Sequence, residues 1–467
     1  MTLPERVDVV VIGGGISGLA AAGRLRELGR SVLLLEQGDR IGGLMRSERV
    51  DGFLFEHGPT SLMTHHPEIF SLCERLGLAD RQVDANRFAR RRYLMKDGRL
   101  CPLPLGPIDF VRTGIWSAGA KLRLLAEPLI PRMRGDQEES VAQFVTRRLG
   151  RELLDYGFDP FVSGVYAGDP ERLSMQSTFS RLVEWERERG SIVMGALSTQ
   201  MTGRRPKNAS ERPMKRQLFS FRDGVAELPS AMGRVLGEGL RTGSRVVRLQ
   251  TQSDGWSVDV EEAGGARQYR AGAIMLASPA AAAAALLEPF APQASRALES
   301  VPYAPIAVAF LGFRRADVGH PLDGFGCLLP RREGSQLLGS LWSSTIFPGR
   351  APEGMVALTN YLGGAKRPEM IEREEAELVA VTLEELRRWL GVTGAPVLAR
   401  VARWPRAIPQ YVIGHAARLK AIEQSIEKWP TLTLIGNYLR GVSVPDCILQ
   451  ARAAADRVIA TLPGRPA

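Results

Sequence analysis

A glycine-rich turn near the start of the chain has the residue types and spacing that phosphate binding requires. Gly13, Gly15 and Gly18 form a G-x-G-x-x-G pattern directly after the apolar, β-branched run of residues 7–12. Glycine at these positions permits a tight turn and lets the backbone approach a pyrophosphate, whose charge faces the N-terminus of the following helix. Glu36 follows Gly18 by 18 residues, near the spacing of ~20 at which a carboxylate binds a ribose. The pattern predicts a dinucleotide site that disfavours a 2′-phosphate.

The local sequence pattern also supplies the elements that would position these residues. The run at 7–12 predicts a buried parallel strand, and apolar residues on one face of 19–28 predict a helix that ends at Gly29. Residues 31–35 predict a second strand, which completes a βαβ unit. Further strands are predicted at 243–249, 256–260, 273–277, 306–313 and 432–437, and further helices at 372–390 and 448–462. The expected class is α/β with a Rossmann-type domain.

Length and composition limit the remaining possibilities. A chain of 467 residues exceeds a single core of about 250–300 residues, so two or three domains are expected. No run approaches the roughly 18 apolar residues of a membrane-spanning helix. The five histidines form no recognisable metal-ligand set, and the four cysteines are too widely spaced for a C-x-x-C pair or a disulfide framework. We therefore expect no metal and a reducing compartment, most simply the cytoplasm.

The positive charge is concentrated in one segment. Residues 86–216 include 24 basic and 15 acidic residues, an excess of +9 out of a net charge of +10. Nucleic acid, an anionic membrane surface or an acidic substrate could each account for it. Base-stacking aromatics among the charges and a helix-turn-helix pattern are both absent from this sequence, so we expect no nucleic-acid partner.

A second glycine cluster narrows the choice of dinucleotide. Gly42 and Gly43 follow Glu36, and the run Gly58-Pro59-Thr60-Ser61 comes soon after. This arrangement resembles the FAD-binding signature of the amine-oxidase-like flavoprotein superfamily, and no second G-x-G-x-x-G indicates a separate NAD site. The resemblance implies non-covalent FAD, because the sequence around Cys447 is unlike a flavin-attachment sequence. His57 is assigned a structural role.

Four further motifs resemble oxygen-dependent protoporphyrinogen oxidases, in the family's order along the whole chain. They lie at 161–170, 343–352, 403–411 and 436–444. The resemblance implies oxidation of a porphyrinogen to a porphyrin through FAD, with O2 as acceptor and H2O2 released. The flavin would carry the chemistry, and we expect no catalytic side chain. A coproporphyrinogen III oxidase remains the alternative, and an amine oxidase or desaturase of the same superfamily is a more distant one.

The same resemblance assigns roles to individual residues. Arg92, in an Arg-aromatic motif whose register within 90–92 stays open, would bind a substrate propionate, and Phe347 would stack on the macrocycle. At Gly164, or at nearby Gly168, the backbone would come close to the substrate in its cavity. The implied FAD contacts are Gly13, Gly14, Gly15, Ser17, Gly18, Glu36, Gln37, Arg40, Gly42, Gly43, Gly58, Pro59, Thr60, Ser61, Val246, Trp404, Gly436, Val442, Ser443 and Val444.

The expected organisation follows from these assignments. The FAD-binding domain would comprise 1–86, 216–300 and 406–467, and a mixed-sheet substrate domain would comprise 301–405. An inserted helical, basic region at 87–215 would dock on the cytoplasmic face of the membrane through apolar turns around 103–116. Residues 204–216 are predicted to form a mobile loop. Family members are often dimers, so a homodimer is also considered.

Overall fold

The computed structural model describes residues 5–64, 66–133, 135, 137–201 and 217–462. The loop predicted at 204–216 lies outside the described residues. The strands are β1 (Glu5–Ile12), β2 (Val32–Leu35), β3 (Ser47–Val50), β4 (Phe53–Glu56), β5 (Leu62–Thr64), β6 (Gln82–Asp84), β7 (Tyr93–Lys96), β8 (Arg99–Pro102), β9 (Gln217–Phe221), β10 (Leu240–Arg241), β11 (Arg245–Gln252), β12 (Gly255–Glu262), β13 (Gly265–Leu276), β14 (Tyr303–Arg314), β15 (Gly326–Leu328), β16 (Leu337–Leu341), β17 (Met355–Gly363), β18 (Leu398–Pro409) and β19 (Leu432–Leu434).

Helices connect these strands and cover the sheets. The α-helices are α1 (Ile16–Glu27), α2 (Pro67–Arg75), α3 (Pro107–Arg112), α4 (Ala118–Leu125), α5 (Val141–Leu149), α6 (Arg151–Leu153), α7 (Asp159–Tyr166), α8 (Met175–Thr178), α9 (Ser180–Arg189), α10 (Ile192–Met201), α11 (Glu227–Leu236), α12 (Ala280–Leu287), α13 (Pro292–Glu299), α14 (Ser343–Ile346), α15 (Glu375–Leu390), α16 (His415–Ile426) and α17 (Val444–Ile459). Short 3-10 turns lie at Ala79–Arg81, Arg87–Arg90, Glu127–Leu129, Gly237–Gly239, Arg315–Asp317, Arg331–Glu333 and Pro368–Glu372, and a π-helical turn lies at Leu154–Phe158.

The first sheet forms the Rossmann-type domain. Its strands β10, β2, β1, β13 and β19 are parallel, and the β11–β12 hairpin pairs with the first half of β13. Val9 aligns with Val32 on one side and Ala273 on the other. Because both faces are covered by helices, β2 and the second half of β1, residues 9–12, are continuous apolar runs rather than alternating ones. This architecture confirms the predicted α/β class.

The second sheet is mixed and has the order β18-β14-β17-β16-β15-β7-β8. Only the β15–β7 pairing within it is parallel. Helix α15 packs on one face, and the β3–β4 hairpin of the nucleotide-binding part packs on the other through Phe53 and Phe55. A small sheet of β5, β9 and β6 lies beside the first domain.

The predicted helical segment differs from the observed one at its start. Strands β7 and β8 lie within residues 87–215 and join the second sheet, so the α-helices of this segment begin only at Pro107. The reason is a tight turn, because Asp97 and Gly98 both have positive φ, at 52° and 70°. Asp-Gly in this conformation forms a two-residue hairpin. Strand β18 similarly continues to Pro409, beyond the predicted boundary at residue 405.

Candidate functional site

The turn between β1 and α1 requires glycine at two positions. Gly13 has a φ of +112° and donates its N–H to the Leu35 carbonyl oxygen at 2.8 Å. A Cβ on Gly18 would overlap the Gly13 carbonyl oxygen. These glycines therefore allow strand, turn and helix to pack closely, as the spacing predicts.

The centre of the turn is open toward a ligand. A Cβ built on Gly15 meets no heavy atom within 4 Å, and no side chain caps the N-terminus of α1. The first N–H groups of the helix therefore lack side-chain acceptors, and the helix dipole favours an anion there. Ser17 lies in the first turn of the same helix and is buried. This end of α1 fits a pyrophosphate.

Glu36 organises the neighbouring loop at the end of β2. Its carboxylate accepts the N–H of Gly14 at 2.6 Å and the N–H of Gly38 at 2.8 Å. Its backbone carbonyl accepts the Ser244 N–H at 2.8 Å, which holds the start of β11 beside the loop. Val246, at the start of β11, is therefore close to the expected ribose end of the site.

The two glycine clusters meet. Gly42, with a φ of +97°, donates its N–H to the Gly14 carbonyl oxygen at 2.8 Å. A Cβ on Gly43 would lie 3.5 Å from the Gly15 Cα atom. Arg40 donates to the Gly43 carbonyl oxygen at 2.8 Å. The second cluster thus forms part of the same turn and not a separate site.

The segment after β4 links the two domains. A Cβ on Gly58 would overlap the Leu44 carbonyl oxygen. His57 Nε2 lies 3.0 Å from the Glu48 carboxylate, and burial lowers the pKa of the imidazole. Trp404 on β18 donates its indole N–H to the His57 carbonyl oxygen at 2.6 Å. These bonds fit the structural role predicted for His57.

The C-terminal return lies against α1. Gly436 has a φ of +153°, and the Ser443 hydroxyl caps α17 by accepting the Asp446 N–H at 3.2 Å. Cys447 is buried beside Ser17, and burial raises the pKa of its thiol to about 11. The thiol therefore stays protonated near neutral pH and is a weak nucleophile.

The other predicted FAD contacts have fewer internal bonds. Thr60 is hydrogen-bonded to Tyr361 of β17. Thr60 is half-buried, and the remaining contacts, which are half-buried or exposed, are Gln37, Pro59, Ser61, Val442 and Val444.

The arginines of the triplet at 90–92, which directly precedes β7, differ in the partners of their side chains. Arg91 forms an ion pair with Asp323, with Nη1 and Oδ2 2.5 Å apart. The Arg92 guanidinium is exposed and lies over the Phe325 ring, 5.2 Å from its centroid. Among the described residues, Arg92 has no carboxylate partner.

The two other predicted substrate residues have different surroundings. Gly164 lies on an exposed part of α7, where a Cβ would overlap the Leu328 side chain. Phe347 is only 2% exposed and packs with Ile346 and Ala89, while the Arg350 guanidinium lies 5.3 Å from its ring centroid. Phe347 thus packs in a small buried cluster, and its contact with a macrocycle stays a prediction.

Sequence reasoning missed a buried polar group beside the site. Glu56 ends the apolar strand β4, and its carboxylate accepts the Ser47 hydroxyl at 2.5 Å and the Val225 N–H at 3.0 Å. Arg350 lies 4.0 Å away and is also buried. Burial raises the pKa of Glu56 to about 7. A carboxylate closing an otherwise apolar strand was the available signal.

The fold and the joined glycine clusters define an FAD-dependent oxidoreductase. Residues 16–459 match the model of the flavin containing amine oxidoreductase family, and the chain belongs to that family. The mitochondrial protoporphyrinogen oxidase of Nicotiana tabacum is 32% identical over 97% of this chain and 95% of that protein. The coproporphyrinogen III oxidase of Propionibacterium freudenreichii is also 32% identical, over 97% of this chain and 90% of that protein.

A solved structure shows the same overall fold. A protein from Exiguobacterium sp. 255-15, provisionally described as a protoporphyrinogen oxidase, superposes with a TM-score of 0.80 at 24% identity. The match covers 97% of this chain and 98% of that one. The match to the flavin containing amine oxidoreductase family identifies FAD as the cofactor of this chain, as the glycine clusters predict.

Proposed function

We propose that this chain oxidises protoporphyrinogen IX to protoporphyrin IX, with O2 as the electron acceptor and H2O2 as the second product. The observation that supports this most is similarity along 97% of the chain to enzymes named for porphyrinogen oxidation. Coproporphyrinogen III is the second candidate substrate, because one relative with that name is also 32% identical to this chain. The two porphyrinogens share the ring chemistry and differ in the number of carboxylates.

The residues of the chain bind and orient, and the cofactor supplies the redox chemistry. FAD, when bound, accepts hydride from a carbon held against it. The first turn of α1 and Glu36 would hold the dinucleotide end, and the His57–Trp404 bond would fix the domain boundary beside it. No side-chain base is required, so positioning and exclusion of water are the main contributions of the protein.

Arg92 is the proposed anchor for a substrate propionate. Its planar guanidinium can form two hydrogen bonds to one carboxylate, and one face of the guanidinium packs against the Phe325 ring. The pairing of Arg91 with Asp323 favours Arg92 over Arg91 as the anchor. Gly164 and the neighbouring Phe161 and Val165 of α7, which are 42% and 43% exposed, offer an apolar wall for the macrocycle.

The test is aerobic oxidation of protoporphyrinogen IX and coproporphyrinogen III, followed separately by porphyrin fluorescence and peroxide release. We expect Arg92→Ala to raise KM at least tenfold, because a charged hydrogen-bond pair is lost. Arg92→Lys should recover only part of the loss, and Arg90→Ala is the matched control within the triplet. Equal losses in Arg90→Ala and Arg92→Ala would argue against this anchor, and absence of turnover with FAD bound would refute the function.

We further propose that α3, α4 and the turn Glu127–Leu129 dock on a membrane surface. The exposed apolar side chains of these elements and of the residues just before α3, between 65% and 84% accessible, are Leu105, Ile108, Val111, Leu122, Leu125 and Leu129. Lys121 donates to the carbonyl oxygens of Val111 and Thr113 at 2.8 Å and 2.6 Å, which ties α3 to α4. A cluster of apolar side chains of this kind suits the interface of a bilayer.

A buried ion pair lies behind this apolar patch. Glu127 and Arg148 form a fully buried ion pair, and Glu127 also accepts the Ile192 N–H at 3.1 Å. Exposed basic residues flank the patch at Arg112, Arg123 and Arg132, which favours an anionic surface such as the cytoplasmic leaflet. Across the described part of the chain, no helix has both the length and the apolarity needed to span a bilayer.

A further inference from the structure

The loop between β14 and β15 holds a bulky residue in an unfavourable conformation. Leu322 has a φ of +53° and is buried. The left-handed region is costly for a residue with a branched side chain, so surrounding contacts must enforce it. Leu322 donates its N–H to His320 Nδ1 at 3.0 Å, and its carbonyl oxygen accepts the Thr345 hydroxyl at 2.9 Å. This conformation fixes the direction of the next residue, Asp323.

Asp323 is aimed at the start of β7. Its Oδ1 atom accepts the Tyr93 hydroxyl at 2.6 Å, and its Oδ2 atom accepts Arg91 Nη1 at 2.5 Å. The hydrogen bond from Tyr93 is the largest cause that lowers the pKa of this carboxyl group, so it is ionised at neutral pH. One of the two adjacent arginines is therefore neutralised by a fixed carboxylate.

The loop and the strand are locked to each other by the backbone. Phe325 donates its N–H to the Arg91 carbonyl oxygen at 2.7 Å. A Cβ on Gly324 would lie 2.8 Å from Tyr93 Cε2 and 2.9 Å from the Arg91 carbonyl oxygen, so a side chain there would push the loop away. As a result, the guanidinium groups of Arg91 and Arg92 rest on two residues of one loop, Asp323 and Phe325, which are separated only by Gly324.

We propose that Asp323 is a specificity-determining residue, which disfavours substrates with additional carboxylates by neutralising Arg91 beside the free Arg92. The inference rests on the proposed function and concerns the choice between the dicarboxylate and tetracarboxylate porphyrinogens. With Arg91 paired, its positive charge beside the unpaired Arg92 is offset by the Asp323 carboxylate. With Arg91 released, a second positive charge attracts the substrate with more carboxylates.

The experiment compares kcat/KM for coproporphyrinogen III with kcat/KM for protoporphyrinogen IX in the holoenzyme. Asp323→Asn keeps an acceptor for Tyr93 but removes the charge. We expect the ratio of the two values to rise about fivefold, through KM, since an exposed charge pair is worth about 1 kcal/mol. The rise should shrink near 1 M salt, where the Debye length is ~3 Å.

The matched control is Asp254→Asn. Asp254 pairs with Arg6 at 2.6 Å in a similarly exposed position on the first domain, so it controls for net charge alone. Adding Arg91→Gln to Asp323→Asn should return the ratio to the wild-type value. Arg91→Glu, which changes no residue of the strained loop, should lower the ratio below the wild-type value and tests the proposal even where Asp323→Asn does not fold.

The outcomes separate this inference from the proposed function. A wild-type enzyme that oxidises neither porphyrinogen refutes the function itself. The proposed role of Asp323 is overturned if the enzyme is active and the ratio of the two kcat/KM values in Asp323→Asn and in Arg91→Glu equals the ratio in the control Asp254→Asn.

Discussion

The indole N–H of Trp404 and the backbone carbonyl oxygen of His57 are hydrogen-bonded at 2.6 Å across the boundary between the two domains. Trp404 belongs to the long edge strand of the second sheet, whereas His57 precedes the glycine run expected to border FAD. The second sheet and the first domain are thus joined by a hydrogen bond to the segment that would lie along the flavin.

Replacing this indole should affect both stability and cofactor. Trp404→Phe leaves the His57 carbonyl oxygen without its donor, and we expect a loss of about 1–3 kcal/mol in the free energy of unfolding. Trp256→Phe is the control, because Trp256 donates an equivalent bond to Thr431 Oγ1 at 2.9 Å away from the site. Urea unfolding should show similar losses, while only Trp404→Phe should shift the flavin absorption spectrum. A matching spectral shift in Trp256→Phe would contradict a role at the flavin.

Two glycines of the α1 region permit a clean test of the cofactor site. An added Cβ meets no atom within 4 Å at either Gly15 or Gly23, so Ala should be accepted at both positions in the folded protein. Only Gly15 lies where the pyrophosphate is expected. We expect Gly15→Ala to weaken FAD binding at least tenfold and Gly23→Ala to leave it unchanged while stabilising α1 by about 0.5–1 kcal/mol. Titration of the FAD-free proteins would measure this, and equal affinities would place the pyrophosphate elsewhere.

The parts of the fold that sequence predicts well are those specified by nearby residues. The β1–α1–β2 unit follows from apolar runs and glycine spacing within one short stretch, and the structure confirms it. Strand β7 was missed because it is short, follows three arginines, and pairs with β15 more than two hundred residues later. The Asp97-Gly98 turn was a local signal for it.

The substrate side of the site is less predictable for the same reason. The partner of Arg91 lies 232 residues away in sequence, so the difference between Arg91 and Arg92 depends on tertiary packing. The burial of Phe347 likewise depends on contacts with Ala89 and its neighbours, which a motif does not encode. Roles assigned from the resemblance to Arg92, Gly164 and Phe347 remain predictions.

The buried carboxylate of Glu56 makes a specific prediction about pH. Its pKa is about 7 in the folded protein against 4.5 ordinarily, so the folded state holds this proton more tightly than the unfolded chain. The resulting stabilisation is complete below pH 4.5 and is lost as the pH rises through about 7. The loss amounts to about 3 kcal/mol, at about 1.4 kcal/mol per pKa unit.

Glu56→Gln should remove that dependence. The amide can keep both hydrogen bonds, to the Ser47 hydroxyl and the Val225 N–H. We expect the Tm of the wild-type protein to fall more steeply than that of the variant between pH 5 and 8, with the variant the more stable above pH 7. Thermal unfolding across this range measures the difference, in which the contributions of the histidines cancel. Parallel curves would show that Glu56 titrates normally.

The apolar patch on α3, α4 and the turn Glu127–Leu129 should control membrane binding. Leu125 and Leu129 are 74% and 84% exposed, so Asp at both positions should fold normally while removing apolar area that would enter the bilayer interface. The control is Val235→Asp, at a residue of α11 that is 52% exposed on the first domain. In sedimentation with vesicles containing anionic lipid, we expect the double variant to lose at least tenfold in partitioning and the control to match the wild type.

Binding of the wild type should also weaken with added salt, because Arg112, Arg123 and Arg132 border the patch. If the double variant sediments with vesicles as the wild type does, the membrane must contact a different face, and the buried Glu127–Arg148 pair would then serve only to hold the helical region together.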